Sequence, residues 1–97
     1  MSALASVLGV GIPLPVSDLN DLLTPGLYYW ASSSAAPTNA FATVGSLLIV
    51  LKFTNQVFQM QIPNTASSAT LAGIGIRKYW NGSWDAAWYK IATTTIA

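Results

Sequence analysis

A two-residue alternation dominates the second half of the chain. From Leu47 to Phe53, the residues Leu47, Ile49, Leu51 and Phe53 share one parity and Leu48, Val50 and Lys52 the other, which is strand spacing. Both parities are largely apolar. Both sides of this strand are therefore expected to be buried, one of them against a second layer or a second subunit. Thr54-Asn55-Gln56 makes a tight connection. Val57 to Ile62 then alternates, with Phe58, Met60 and Ile62 on one side and Gln59 and Gln61 on the other, so the two runs read as a hairpin with a one-sided return strand. Gly73 to Trp80 is a further strand. Asn81-Gly82 follows it, and both residues tolerate the positive φ of a type I′ turn. Ser83 to Ile91 returns, and Thr-rich Ala92 to Ala97 extends that strand or frays.

Upstream, Ser17 to Leu23 reads as one or two helical turns. Ser17 or Asp18 caps them, and Leu19, Leu22 and Leu23 fall on one face. Thr24-Pro25-Gly26 stops the helix, and Leu27 to Ala31 is an aromatic strand. Ser32 to Asn39 and Pro63 to Thr70 are polar loops. The expected fold is mainly β: a small antiparallel β knob of about five strands (residues 17–97) with a short N-terminal helix. No strand alternates with a long helix, which argues against a parallel α/β fold. Residues 1–16 read as an extended apolar arm, since Gly9, Gly11, Pro13 and Pro15 prevent a stable helix. The opening has no basic start of a signal peptide, so no export signal is expected. The apolar run Ala40 to Leu51 is shorter than the ~20 residues of a membrane-spanning helix, so no membrane insertion is expected.

Composition sharpens this picture. Only seven of 97 residues are charged (Asp18, Asp21, Lys52, Arg77, Lys78, Asp85 and Lys90), where an average domain of this length carries about 24. Apolar residues make up 53% and mean hydropathy is +0.49. Disorder is excluded by this hydrophobicity. A domain this small buries only about 60% of its unfolded surface, and a net charge of +1 does little to keep copies apart. Much of the apolar surface is therefore expected to lie between subunits, with Leu48 and Val50, and Leu8 and Ile12 of the arm, at the interface. The alternative is a monomer whose surface is uncharged but rich in Ser, Thr and Asn.

The same composition narrows the chemistry. With no cysteine, histidine or glutamate, disulfides, thiol catalysis, cysteine metal sites and most acid–base chemistry drop out. Asp18 and Asp21 sit where capping explains them, and Gly73-Ile74-Gly75 opens no phosphate loop. Neither catalysis nor a cofactor is expected. Nor is nucleic-acid binding, which needs a basic stripe. What stands out is aromatic: Tyr79, Trp80, Trp84, Trp88 and Tyr89 surround one hairpin. Such rings suit the apolar face of a sugar, and equally a core or a subunit contact. Arg77 and Lys78 suit acidic sugars or phosphate, or else a solvated strand edge; Arg77 also suits a carboxylate across a subunit boundary. The candidate receptor-binding set is Arg77, Tyr79, Trp80, Asn81 and Trp84.

Several of these features occur together in a known order. Asp18-Leu19-Asn20-Asp21-Leu22 precedes Pro25-Gly26-Leu27-Tyr28-Tyr29. Gly45-Ser46-Leu47-Leu48-Ile49-Val50 follows, with Gln59 or Gln61 in the next strand, then Arg77, Asn81-Gly82-Ser83-Trp84 and Trp88-Tyr89-Lys90-Ile91. Over residues 17–91 this resembles the pyocin-knob family of phage tail-fibre domains. Trp84-Asp85-Ala86-Ala87-Trp88 is one residue longer than the usual spacing there, which predicts a bulge or an altered hairpin end. The resemblance implies a homotrimeric knob on a phage or tailocin fibre or spike. It would be made in the host cytoplasm, carried in the virion beside other tail proteins, and attached to bacterial surface glycan. The rival expectation is a purely structural virion attachment or decoration protein that anchors other subunits and touches no receptor.

Overall fold

The computed structural model describes residues 11–64, 73–93 and 96. They form one mixed seven-stranded sheet: β1 Ile12–Pro13, β2 Gly26–Trp30, β3 Ser46–Phe53, β4 Gln56–Pro63, β5 Ile74–Trp80, β6 Ser83–Trp84 and β7 Tyr89–Ile91. The order across the sheet is β1-β2-β3-β4-β5, with β6 and β7 sharing the far edge of β5. All pairs are antiparallel except β1 with β2. The five expected strands are thus present, joined by β1 and by the division of the last one into β6 and β7.

Two turns set the hairpin registers. Asn81 (φ 54) and Gly82 (φ 87) are both left-handed, as a type I′ turn requires, and Trp80 pairs with Ser83 across them. Thr54 (φ 52) and Asn55 close the β3–β4 hairpin between Phe53 and Gln56.

The expected helix over Ser17 to Leu23 is not there. A single 3-10 turn, Leu19–Asp21, takes its place, capped by the Asp18 carboxylate, which accepts from the Asn20 amide. The backbone groups of this stretch find long-range partners instead. Leu19 N–H donates to Thr38 O, Thr38 N–H donates to Ser17 O, and the Leu22 carbonyl accepts from Gln59. Long-range partners win because a helix this short is marginal by itself.

One face of the sheet is covered by the irregular segments before β2 and between β2 and β3. Leu19 and Leu22 pack there on Tyr28, Trp30, Leu48, Val50 and Val57 to form the core. Leu48 (0% exposed) and Val50 (1%) are therefore enclosed by their own chain, and the expectation that they form a subunit interface is wrong. Ile12, also expected at the interface, is half-buried in β1 against this same core, followed by Leu14 and Val16. Leu8 lies outside the described residues.

The alternation of β4 is real but inverted. Gln59 and Gln61 are fully buried, while Phe58, Met60 and Ile62 face the other way. The covering segments are irregular, so their backbone polar groups need partners that no ladder supplies. Gln59 Nε2 donates to the carbonyls of Leu19 (2.7 Å) and Leu22 (3.0 Å). Gln61 Nε2 donates to Ala42 O (2.8 Å) and Ser46 Oγ (2.9 Å), and its Oε1 accepts from Phe41 N–H. Two glutamines thus fasten both covering segments to the sheet.

Among the described residues, the opposite face is apolar and uncovered. Its central row runs Leu27, Ile49, Met60, Ile76, Tyr89 across five strands. The next row out pairs Leu51, Phe58 and Lys78. None of these eight side chains is buried, and Phe53 and Tyr89 are each 66% exposed.

Candidate functional site

β5 carries Arg77 onto the covered face, beside Gln59 in the sheet register. The side chain is 5% exposed. Its Nε donates to Gln59 Oε1 (3.0 Å) and its Nη1 to Asn20 Oδ1 (2.9 Å), while Nη2 is buried without a partner. The guanidinium carbon lies 4.0 Å from the ring centre of Trp84 and 4.7 Å from that of Trp88. Trp84 meets Tyr79 edge to face at 5.1 Å, and Trp88 meets Phe41 at 6.0 Å. The result is a continuous stack of Phe41, Trp88, Arg77, Trp84 and Tyr79. Burial pushes the guanidinium down to about 10, against the support of Asp18 and Asp85, so it stays charged at neutral pH.

Both tryptophans reach Arg77 because the returning strand is interrupted. Tyr79 pairs with Trp84 and Ile76 with Tyr89, so the four residues Asp85 to Trp88 oppose only Arg77 and Lys78. The bulge expected from the Trp84–Trp88 spacing is here, and it adds two residues. Asp85 repairs the ladder across it: its Oδ2 accepts from Lys78 N–H (2.9 Å) and its own N–H donates to Lys78 O (2.9 Å).

The indoles in turn brace two asparagines. Trp84 Nε1 donates to Asn20 O (3.1 Å) and Trp88 Nε1 to Asn39 O (2.9 Å). Asn39 sits in the left-handed region (φ 63), which Asn tolerates better than most residues. Its Nδ2 donates to Asp18 Oδ1 (2.8 Å), the oxygen that also accepts from Asn20 N. These bonds, the Asn39 amide first, hold the Asp18 carboxyl below its ordinary value, with a further contribution from Arg77. Asn20, Asn39, Arg77, Tyr79, Trp84, Asp85 and Trp88 wall an open, polar groove of about 620 Å³.

The five candidate receptor residues do not form one site. Arg77, Tyr79 and Trp84 line this groove, whereas Trp80 has the opposite parity on β5 and is half exposed on the uncovered face, with Lys78 Nζ 5.8 Å from its ring. Asn81 sits at the exposed tip of the turn. Asn20, Asn39 and Asp85 were not among the sequence candidates. The extra residue between Trp84 and Trp88 was the one signal pointing to Asp85; Asn20 stood in the Asp18-Leu19-Asn20 motif without a role assigned to it, and nothing local marked Asn39. Among the described residues, no group of three His, Cys, Asp or Glu side chains could hold a metal, and no helix is long and apolar enough to cross a membrane.

The chain matches no protein-family model, no curated protein and no solved structure. The likeness to pyocin knobs rests on the order of residues alone.

Proposed function

We propose that this chain is a structural and receptor-binding domain of a bacteriophage tail fibre or spike. It assembles as a homotrimer beside other virion tail proteins and attaches to bacterial surface glycan. The observation that carries this reading is the uncovered sheet face around Ile49 and Met60. Five strand widths by the length of β3 give a flat patch of ~600 Å² before side-chain relief is counted. Apolar patches of that order mark interaction surfaces. The patch carries almost no charge, so three copies of the same face can converge on a three-fold axis without repulsion.

The test is to place charge in the central row. Met60→Glu and Ile49→Lys are expected to convert the assembly to monomers in sedimentation equilibrium, with strand content by circular dichroism kept. A wild-type chain that sediments as a monomer at high concentration sinks the assembly. Absence of adsorption of the labelled assembly to a panel of bacteria sinks the receptor role.

One observation favours the rival reading, a virion attachment or decoration part without a receptor. Trp84 and Trp88 spend their ring contacts on Arg77, Tyr79 and Phe41 within the chain, not on an open platform for sugar stacking.

A further inference from the structure

We infer that the groove beside Arg77 binds an uncharged hexose unit through its hydroxyl groups, held by Asn20, Asn39 and Asp85 rather than by aromatic stacking. This rests on the reading of the domain as adhesive and deepens it by naming the ligand class.

The groove offers polar atoms fixed in place and left over. Asn20 Oδ1 is taken by Arg77 Nη1, which leaves its Nδ2 as a donor. Asn39 Nδ2 is taken by Asp18, which leaves its Oδ1 as an acceptor. Asp85 Oδ2 is taken by Lys78 N–H, which leaves Oδ1 as a second acceptor. In each asparagine a charged neighbour decides which end of the amide points where. The backbones of both asparagines are pinned by the indoles of Trp84 and Trp88. Little ordering is therefore left to be done on binding.

A mixed set of donors and acceptors selects among ligands. A sugar hydroxyl both donates and accepts, so vicinal hydroxyls satisfy an amide N–H and a carboxylate oxygen together. A bare carboxylate or phosphate only accepts and would leave Asn39 Oδ1 and Asp85 Oδ1 unmet. Charge points the same way. Arg77, the cation among the described residues lining the groove, is committed to Gln59, Asn20 and two indoles, and Asp18 and Asp85 stand near it. An acidic sugar meets two carboxylates against one cation already engaged.

The experiment titrates the ¹⁵N-labelled full chain with glucose, galactose and N-acetylglucosamine, and separately with glucuronic acid. The readout is the Nε1–H signals of Trp84 and Trp88, which adjoin the groove. At least one neutral sugar is expected to shift both signals, with affinity in the millimolar range and at least about tenfold tighter than for glucuronic acid. Filling the groove at exposed positions, by Ala87→Trp or separately by Ala86→Trp, is expected to weaken that binding at least about tenfold. No shift with any neutral sugar, tighter binding of glucuronic acid, or unchanged binding in both filled variants overturns the inference. If the filled variants still adsorb to bacteria like wild type, the groove is not the receptor site and the adhesive role survives. If wild type does not adsorb at all, the adhesive role itself falls.

Discussion

Arg77 Nε donates to Gln59 Oε1 at 3.0 Å, and both residues are buried. This one bond joins the two systems that hold the covering segments onto the sheet. Gln59 carries the 3-10 turn through two carbonyls, and Arg77 carries the aromatic stack and Asn20. Removing either partner strands the other in a poorly hydrated place, where unmet polar groups cost most. Gln59→Leu and Arg77→Ala are each expected to cost ~3 kcal/mol in urea unfolding, and the double variant less than their sum by ~1 kcal/mol or more. Full additivity would show that the bond does not couple them. Arg77→Lys is not a rescue, because an ammonium lacks the planar fork that meets Gln59 and Asn20 together.

The interrupted edge makes a separate prediction. Asp85 supplies the acceptor for Lys78 N–H that a regular strand would have supplied. Asp85→Ala is expected to cost ~1–2 kcal/mol and to lower the hydrogen-exchange protection of the Lys78 amide specifically. Asp85→Asn keeps an acceptor and is expected to recover most of both. Unchanged Lys78 protection in the alanine variant would refute the repair.

Gly75 is a steric requirement. A Cβ there would meet the Phe41 ring, with Cδ1 at 2.6 Å and Phe41 Cβ at 2.7 Å. Phe41 is tied by its own amide to Gln61 Oε1 and has little room to withdraw. Gly75→Ala is expected to cost ~1–3 kcal/mol, measured as a lower denaturant midpoint. In a Phe41→Ala background the same change should cost clearly less.

Acid should loosen the N-terminal cover first. The Asp18 carboxyl is held below its ordinary value of 3.8 by the Asn39 side chain and the Asn20 amide. A depressed folded value means that the stabilisation is present above the ordinary value and is lost as pH falls through the folded one. Asp18→Asn is expected to remove that part of the acid dependence, seen as a flatter stability profile below 3.8. An acid limb identical to wild type would show that the network does not report on folding.

The local features of this chain were legible without its tertiary structure. β3, β4 and β5 follow from alternation with branched and aromatic residues, and the Asn81-Gly82 turn from its tolerance of positive φ. The irregularity between Trp84 and Trp88 was signalled by one extra residue. All of these depend on neighbours along the chain. Which face of the sheet turns inward was not legible, because a period of two defines two faces and ranks them only by polarity. Polarity misleads at β4. Gln59 and Gln61 are inside because carbonyls of segments as much as 40 positions away need donors there. The same long-range partners draw Ser17 to Leu23 away from a helix and enclose Leu48 and Val50. The apolar row from Leu27 to Tyr89 is left on the other face, with none of its side chains buried. Parity and turns are settled between adjacent residues. Inside and outside are settled only when distant segments compete for the same hydrogen bonds.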